Sequence, residues 1–490
     1  MVEAAYGAQD EPRHPRPWLA ALLSFLFPGL GHAYVGRRFL AAILAVPVIL
    51  LIIAVVALQN GFGGPLRNSL LSSGFLVAVL VGNFLLFGWR AFAIAHAGLQ
   101  APVSDPHERR IGLTSVAILI VLTIAMHAWV GLVVGQLDGA LRQVFGGIVL
   151  PNEPLPDASG NDDDTEPVNE PQYRWDGTDR INVLLLGSDA HQTGEGAGLT
   201  DVILVVSVDP VARTAIMVSV PRDTGFVPLQ NESLYPGGLY PDKVNSLATR
   251  ASLDPQTWCP DVVDDGEACG LRTIERSIGL YLGIEIHHYA LVDMAGFAEL
   301  IDAVGGLRLC LPGELTDPEF DGRLDNVNVG RTLVLPAGCH EYDGIDALAY
   351  ARSRKGWIEM PDGTREPQTD FSRNERQQAV LLALRDELAQ ADLIFELPDV
   401  LRAIGRSVTT DFPRDQAGDL ASLLPLIAGP DIERVVLGYP EYVDLPTDPQ
   451  ANYLLVPKRD AIFAEMARQF GQSELSGWYL GAPGVLPGGP

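Results

Sequence analysis

Apolar residues run almost unbroken through the first third of the chain, and the pattern then changes period. Phe39–Leu58 ("FLAAILAVPVILLIIAVVAL"), Leu70–Trp89 and Ile111–Leu137 carry no Asp, Glu, Lys or Arg. Each reaches the roughly 20 residues that a helix needs to cross a bilayer. An earlier apolar stretch, Pro17–Tyr34, is interrupted by Pro28, Gly29 and Gly31, and reads as a fourth span or as a broken hairpin. Beyond Leu150 the periodicity is that of a water-soluble domain. It predicts strands at Ile181–Leu186, Val202–Val208 and Ala215–Val220, and helices at Leu271–Leu282, Met294–Val304 and Arg373–Gln390. "LRLCL" and "RVVLGY" supply later strands. This alternation predicts an α/β fold, an α-β-α layered domain around a central mixed β-sheet. The expected organisation is a membrane region at 1–150, an acidic linker at 151–179, the folded domain at 180–470 and a loose tail at 471–490.

The first strands can be placed against one another. Residues 202–208 and 215–220 are joined by "DPVART", which suits an antiparallel hairpin. Folding it brings Asp201 opposite Pro221 and Arg222. With strand 181–186 antiparallel beside 202–208, Asp189 reaches the same edge, so Asp189, Asp201 and Arg222 are expected on one rim.

Charge divides the chain in two. Met1–Leu150 holds nine Arg, no Lys and six acidic residues, whereas the remainder holds 25 basic and 55 acidic ones. So acidic a surface argues against nucleic-acid binding, which needs a basic footprint. The Arg-rich loops (Arg37, Arg38, Arg90, Arg109, Arg110) belong in the cytoplasm by the positive-inside rule, which places the chain after Leu137 outside. A multi-pass membrane protein is expected, with its folded domain outside the cytoplasm. All four cysteines lie beyond the last span, and an even number in an oxidising compartment reads as two disulfides. Of the three possible pairings, Cys259–Cys269 closes a short loop and Cys310–Cys339 ties a strand to a later turn; these two are favoured.

Against this acidic background "YARSRKG" gathers three cations in four positions, Arg352, Arg354 and Lys355. An extended backbone puts Arg352 and Arg354 on one side. Two planar five-donor guanidinium groups suit a diphosphate better than a single carboxylate. In "DFSRNERQQ", Ser372 and Glu375 have capping-box spacing, so a helix is expected from Arg373, with Arg373 and Gln377 on one face. Arginine conflicts with the dipole at a helix N-terminus, and a bound anion would resolve the conflict. Asp189 and Asp201 beside such a site could hold Mg²⁺ or Mn²⁺, which prefer hard oxygen ligands. The adjacent His287 and His288 would point to opposite faces of a strand, so packing is the better reading for both.

In this order, "NVLLLGSD", "LTDVILVVSVDP", "MVSVPRDT", "KVNSLA", "HHYALVDMAGFAELIDAVGG", "GIDALAYARSR" and "DFSRNERQQ" resemble the LytR-CpsA-Psr phosphotransferases of bacterial cell envelopes, over roughly Arg180 to Gln390. The resemblance implies a metal-dependent transferase. It would move a glycopolymer from a polyprenyl-pyrophosphate carrier in the lipid bilayer to peptidoglycan through a phosphodiester, releasing polyprenyl phosphate. A polyprenyl-pyrophosphate hydrolase and a non-catalytic lipid-binding scaffold are the alternatives. Carried over, Asp189 and Asp201 hold the metal, and Arg222, Arg352 and Arg354 grip the pyrophosphate. Lys243, Arg373 and Gln377 line its surroundings, and Asp223 orients Arg222 or assists in the site. One departure stands out. The family usually carries arginine two residues before the second aspartate, where this chain has Leu199.

Overall fold

The computed structural model describes residues 15–59, 72–101, 105–150, 173–188, 199–260, 265–320, 332–390, 393–420, 423, 432–446, 453–471 and 475. The chain divides into two compact units, Met1–Asp138 and Gly139–Pro490.

In the first unit the stretch expected as a span or hairpin is broken: α1 (Pro17–Leu26) and α2 (Leu30–Tyr34) meet at Gly29, whose φ is 102°. The two pack backbone to backbone, since a Cβ on Gly31 would fall 1.9 Å from the Ala20 carbonyl oxygen. The run Phe39–Leu58 lies in α3 (Arg38–Gln59), which carries Pro47 in its interior. Where three clear spans were expected, two helices among the described residues are long and apolar enough to cross a membrane, α4 (Ser73–Gln100) and α5 (Pro106–Val144). Helix α4 runs past Trp89 and takes Arg90 into its interior. There the guanidinium donates to the Phe25 carbonyl at 2.7 Å, which satisfies a charge the sequence reading had placed in a loop.

The second unit is built on a six-stranded sheet in the order β11-β4-β1-β2-β3-β12. The predicted strands form β1 (Ile181–Ser188), β2 (Thr200–Asp209) and β3 (Thr214–Ser219), in an antiparallel meander. Strand β4 (His288–Asp293) runs parallel to β1, and β12 (Ile432–Val436) parallel to β3, so the sheet is mixed as expected. Strand β11 (Val408–Thr410) closes the far edge. Successive side chains of a strand face opposite ways. Leu184, Leu186, Ile203, Val205, Ile216 and Val218 therefore pack on one face, against α7 (Gly266–Leu282); the short α6 (Leu247–Leu253) packs on α7. On the other face α8 (Met294–Ala303), α9 (Gly344–Arg352), α10 (Asp370–Gln390) and α11 (Leu393–Ser407) share a second core. Two small sheets flank it: β5 (Leu307–Leu311) with β8 (Gly338–Tyr342), and β6 (Glu314–Asp317) with β7 (Leu333–Leu335), β9 (Trp357–Glu359) and β10 (Arg365–Pro367). A C-terminal helix, α12 (Arg459–Phe470), packs on the first core through Ile462, Met466 and Phe470.

Two expectations about boundaries change. The acidic linker was drawn to Asp179, yet Tyr173–Asp179 packs on the domain. Trp175 is buried and donates to the Asp179 carbonyl, Gln416 donates to the Trp175 carbonyl, and Tyr173 stacks on His287. Two aromatic rings outweigh the acidic composition around them. Upstream, Leu150 enters the first core and the Gly147 N–H donates to Thr410 O, so the domain begins before the linker. Residues 151–172 and the tail 476–490 lie outside the described residues. His287 and His288 do pack: His287 accepts from the Asn182 N–H, and His288 is fully buried beside Asp411 and Phe412.

Both favoured disulfides are present, Cys259–Cys269 and Cys310–Cys339. The second staples directly opposed residues of β5 and β8. Their sequence separations are 10 and 29. Loop-closure entropy then predicts losses of about 3 and about 3.5 kcal/mol for removing each pair. Cys→Ser double variants assayed by denaturant unfolding should show the larger loss for Cys310/Cys339, and equal midpoints would refute that ordering.

Candidate functional site

The site lies off the carboxyl ends of β1 and β4, the usual place for ligands in an open α/β sheet. The hairpin register pairs Leu204 with Ser219, which carries Asp201 across from Arg222 as expected. Arg222 Nη1 meets Asp201 Oδ1 at 2.7 Å. The loop after β3 is held over the sheet edge by Asn245 N–H to Arg222 O, Val244 N–H to Thr224 O, and Thr200 Oγ1 to Asn245 O. Asp189 lies outside the described residues.

Helix α10 supplies the opposite wall. It starts at Asp370, three residues before the expected start. The reciprocal cap is made by Thr369 and Ser372, each backbone N–H bonding the other's hydroxyl, rather than by Ser372 and Glu375. Asp370 in the first turn answers the helix dipole and pairs with Arg373 Nη1 at 3.1 Å, so part of the conflict attributed to a missing anion is settled within the helix. Buried Gln378 fastens the helix to the sheet by donating to Ser219 Oγ at 2.8 Å. Arg376 turns away from the site and caps the end of α9 through the Tyr350 and Ser353 carbonyls.

Between these walls is a cavity of about 230 Å³. It is lined by polar and charged side chains, Asp201, Arg222, Asp317, Glu319, Arg352, Arg354, Lys355, Arg373 and Gln377, together with apolar ones, Leu185, Val202, Val292, Met294, Phe297, Phe320, Val380 and Leu381. The sequence could not identify these apolar walls, because they come from five separate segments. Arg352 and Arg354 do share the cavity, but not on an extended strand. Arg352 ends α9, and the chain turns extended at Ser353. Arg373 is nearly fully buried, and among the described residues its Nε and Nη2 have no hydrogen-bond partner; the same holds for Nε of Arg222. Buried donors left unpaired are costly unless a ligand accepts from them.

Two expected residues stand behind the cavity instead of lining it. Lys243 Nζ sits 2.9 Å from Asp223 Oδ1, and Asp223 Oδ1 is 3.9 Å from Arg222 Nε. Asp223 therefore supports Arg222 and Lys243 from the rear. Sequence reasoning missed Asp370, which shares a hydrogen bond with Asp223. An acid in the first turn of a helix was the available signal. Burial, then the hydrogen bond to Asp370, pushes the Asp223 carboxyl up to about 6. Asp370, which burial alone would raise, is held low by the Asp223 hydrogen bond and by Arg373, Arg222 and Lys243.

Leu199 is exposed at the mouth of β2. Among the described residues no three His, Cys, Asp or Glu side chains form a cluster able to hold a metal ion.

A carboxyl with a raised folded-state pKa stabilises the fold below its ordinary value and loses that contribution as pH rises through the folded value. Thermal stability should therefore fall between about pH 4 and about pH 6 through Asp223, and Asp223→Asn should flatten that segment of the curve. Parallel melting curves for the two proteins would contradict the assignment.

The chain is 28% identical over 231 residues to the Bacillus subtilis polyisoprenyl-teichoic acid–peptidoglycan teichoic acid transferase TagV, covering 47% of this chain and 49% of the relative, about half its length. It is 27% identical over 312 residues to the TagU transferase of Oceanobacillus iheyensis, covering 64% of this chain and 79% of that one. A crystal structure of B. subtilis TagV superposes with a TM-score of 0.43 at 24% identity, over 61% of this chain and 98% of that one, too loosely to support a geometric argument. The LytR_cpsA_psr family matches residues 156–456, and with the arginine-lined cavity on its mixed sheet the chain belongs to that family.

Proposed function

We propose that this protein transfers a glycopolymer from a polyprenyl-pyrophosphate carrier to peptidoglycan, leaving a phosphodiester and releasing polyprenyl phosphate. One observation carries the reading: a single cavity lined both by four arginines, two of them with buried guanidinium donors unpartnered among the described residues, and by a set of apolar side chains. That is the complement of a lipid diphosphate. The relatives' names, transferases acting between polyisoprenyl-teichoic acid and peptidoglycan, support the same class of reaction.

In the proposed step an acceptor hydroxyl oxygen bonds to the sugar-bearing phosphorus, its proton leaves, and the bridging P–O bond breaks so that polyprenyl phosphate departs with the electron pair. Arg222, Arg373, Arg352 and Arg354 hold the non-bridging oxygens and neutralise charge on the leaving phosphate, the main demand of phosphoryl transfer. Asp201 keeps Arg222 aimed at the cavity, while Asp223 and Lys243 brace it from behind. Asp201 pairs with Arg222 through Oδ1 and lines the cavity, and a carboxylate among the arginines there suits a hard cation. Asp201, with Asp189, would hold Mg²⁺ or Mn²⁺, which when bound would offset phosphate charge.

The membrane placement belongs to the same proposal: a multi-pass anchor of a bacterial cell membrane with the folded domain outside. Arginines at the helix ends, Arg37, Arg38, Arg109 and Arg110, and two disulfides in the second unit support it.

The test is the full chain in detergent, given a labelled polyprenyl-pyrophosphoryl oligosaccharide and peptidoglycan fragments with and without Mg²⁺. Mass spectrometry should find a metal-dependent sugar–phosphate–peptidoglycan adduct. Arg222→Ala and Arg373→Ala should each lower its rate about 100-fold. Lipid phosphate released without adduct would make the protein a hydrolase, and bound lipid with no product would make it a scaffold.

A further inference from the structure

The residue between the two arginines of "RSR" is the most constrained of the three. Ser353 is fully buried and each of its polar groups is engaged. Its N–H donates to Ala349 O at 2.9 Å, its hydroxyl donates to Asp317 Oδ2 at 2.8 Å, and its carbonyl accepts from Arg376. Asp317, almost wholly buried at the end of β6, gathers the rest of the turn. The same Oδ2 accepts the N–H of Arg354 at 3.1 Å and of Lys355 at 3.2 Å. Its Oδ1 accepts the Glu319 N–H at 3.1 Å. Gly356 completes the contact, since a Cβ there would lie 1.9 Å from Thr316 O, so the turn lies backbone against backbone on β6.

We propose that Asp317 is a positioning residue that holds Arg352 and Arg354 at one fixed separation, and thereby makes the site selective for a lipid diphosphate over a lipid monophosphate. This rests on the proposed function, because it assumes those arginines meet the pyrophosphate. The physical basis is the immobility of Ser353. With their shared neighbour clamped by a carboxylate on one side and a guanidinium on the other, the two arginines hold fixed backbone positions, so re-splaying to fit one phosphate falls on their side chains alone. Ionised acceptors make the stronger hydrogen bonds, which is why an aspartate rather than an asparagine suits this position. Pre-set geometry lowers the cost of a two-point grip and adds little to a one-point grip.

The experiment is titration calorimetry on the full chain in detergent, with farnesyl pyrophosphate and farnesyl monophosphate as probes. The wild type should prefer the pyrophosphate, and Arg352→Ala should weaken it. Asp317→Ala should cut the pyrophosphate-to-monophosphate affinity ratio tenfold or more while leaving monophosphate binding nearly unchanged, since a displacement of about 1 Å can cost up to about 100-fold. Asp317→Asn, which keeps an acceptor oxygen, should restore part of the ratio. Ser353→Ala removes a single hydroxyl and carries the test if Asp317→Ala does not fold. An unchanged ratio in the Asp317 and Ser353 variants, with Arg352→Ala still weakened, would overturn the inference alone. Equal loss of both ligands would reduce Asp317 to a structural role and also overturn it. An Arg352→Ala protein that binds like wild type would overturn the inference together with the pyrophosphate reading beneath it.

Discussion

The register of the β2–β3 hairpin is the constraint from which the site follows. A slip of one residue would turn every inward side chain outward, and the buried faces of β2 and β3 forbid it. That register alone brings Asp201 and Arg222 within ion-pair distance at the sheet edge. Everything else polar at the site is arranged around this arginine. Asp223 and Lys243 stand behind it, Asp370 ties them to α10, and α10 brings Arg373 and Gln377 to the opposite wall.

Buried charge makes such an arrangement demanding. An isolated guanidinium in a core is expensive, and a pair compensates only where geometry is good and remaining donors are met. Here the positive and negative groups alternate, Asp201, Arg222, Asp223, Lys243, with Asp370 and Arg373 alongside. The carboxylates hold the arginines in place, Asp201 from within the cavity lining, and buried guanidinium N–H groups of Arg222 and Arg373 are left without a partner among the described residues. Cations held rigidly by such partners are what electrostatic stabilisation of a transferring phosphoryl group requires.

Two arginines on α10 illustrate how alike residues diverge. Arg373 and Arg376 are three apart in "RNER", and both are nearly fully buried. Arg373 keeps two donor atoms for the cavity; Arg376 uses its fork on backbone carbonyls of the helix end that leads into "RSR". One acts on the ligand side and the other on the scaffold, and nothing in the local sequence separates them.

The sequence by itself determined the strands of the meander, the hairpin that opposes Asp201 to Arg222 and the clustering of Arg352 with Arg354, and it favoured the cysteine pairing that the structure holds. Each depends on short-range periodicity, turn chemistry or ordered motifs. It misplaced the start of α10, because two overlapping cap signals, Thr369 with Ser372 and Ser372 with Glu375, differ only in how the preceding chain is held. It overextended the linker through Tyr173 and Trp175, because composition averages over the two rings that pack. Tertiary structure alone decided that Lys243 stands behind the cavity, that Asp370 joins Asp223, that Asp317 holds the turn between the arginines, and which residues form the apolar lining. Those contacts join residues separated by tens to more than a hundred positions, and only the packing of helices onto a twisted sheet brings them together.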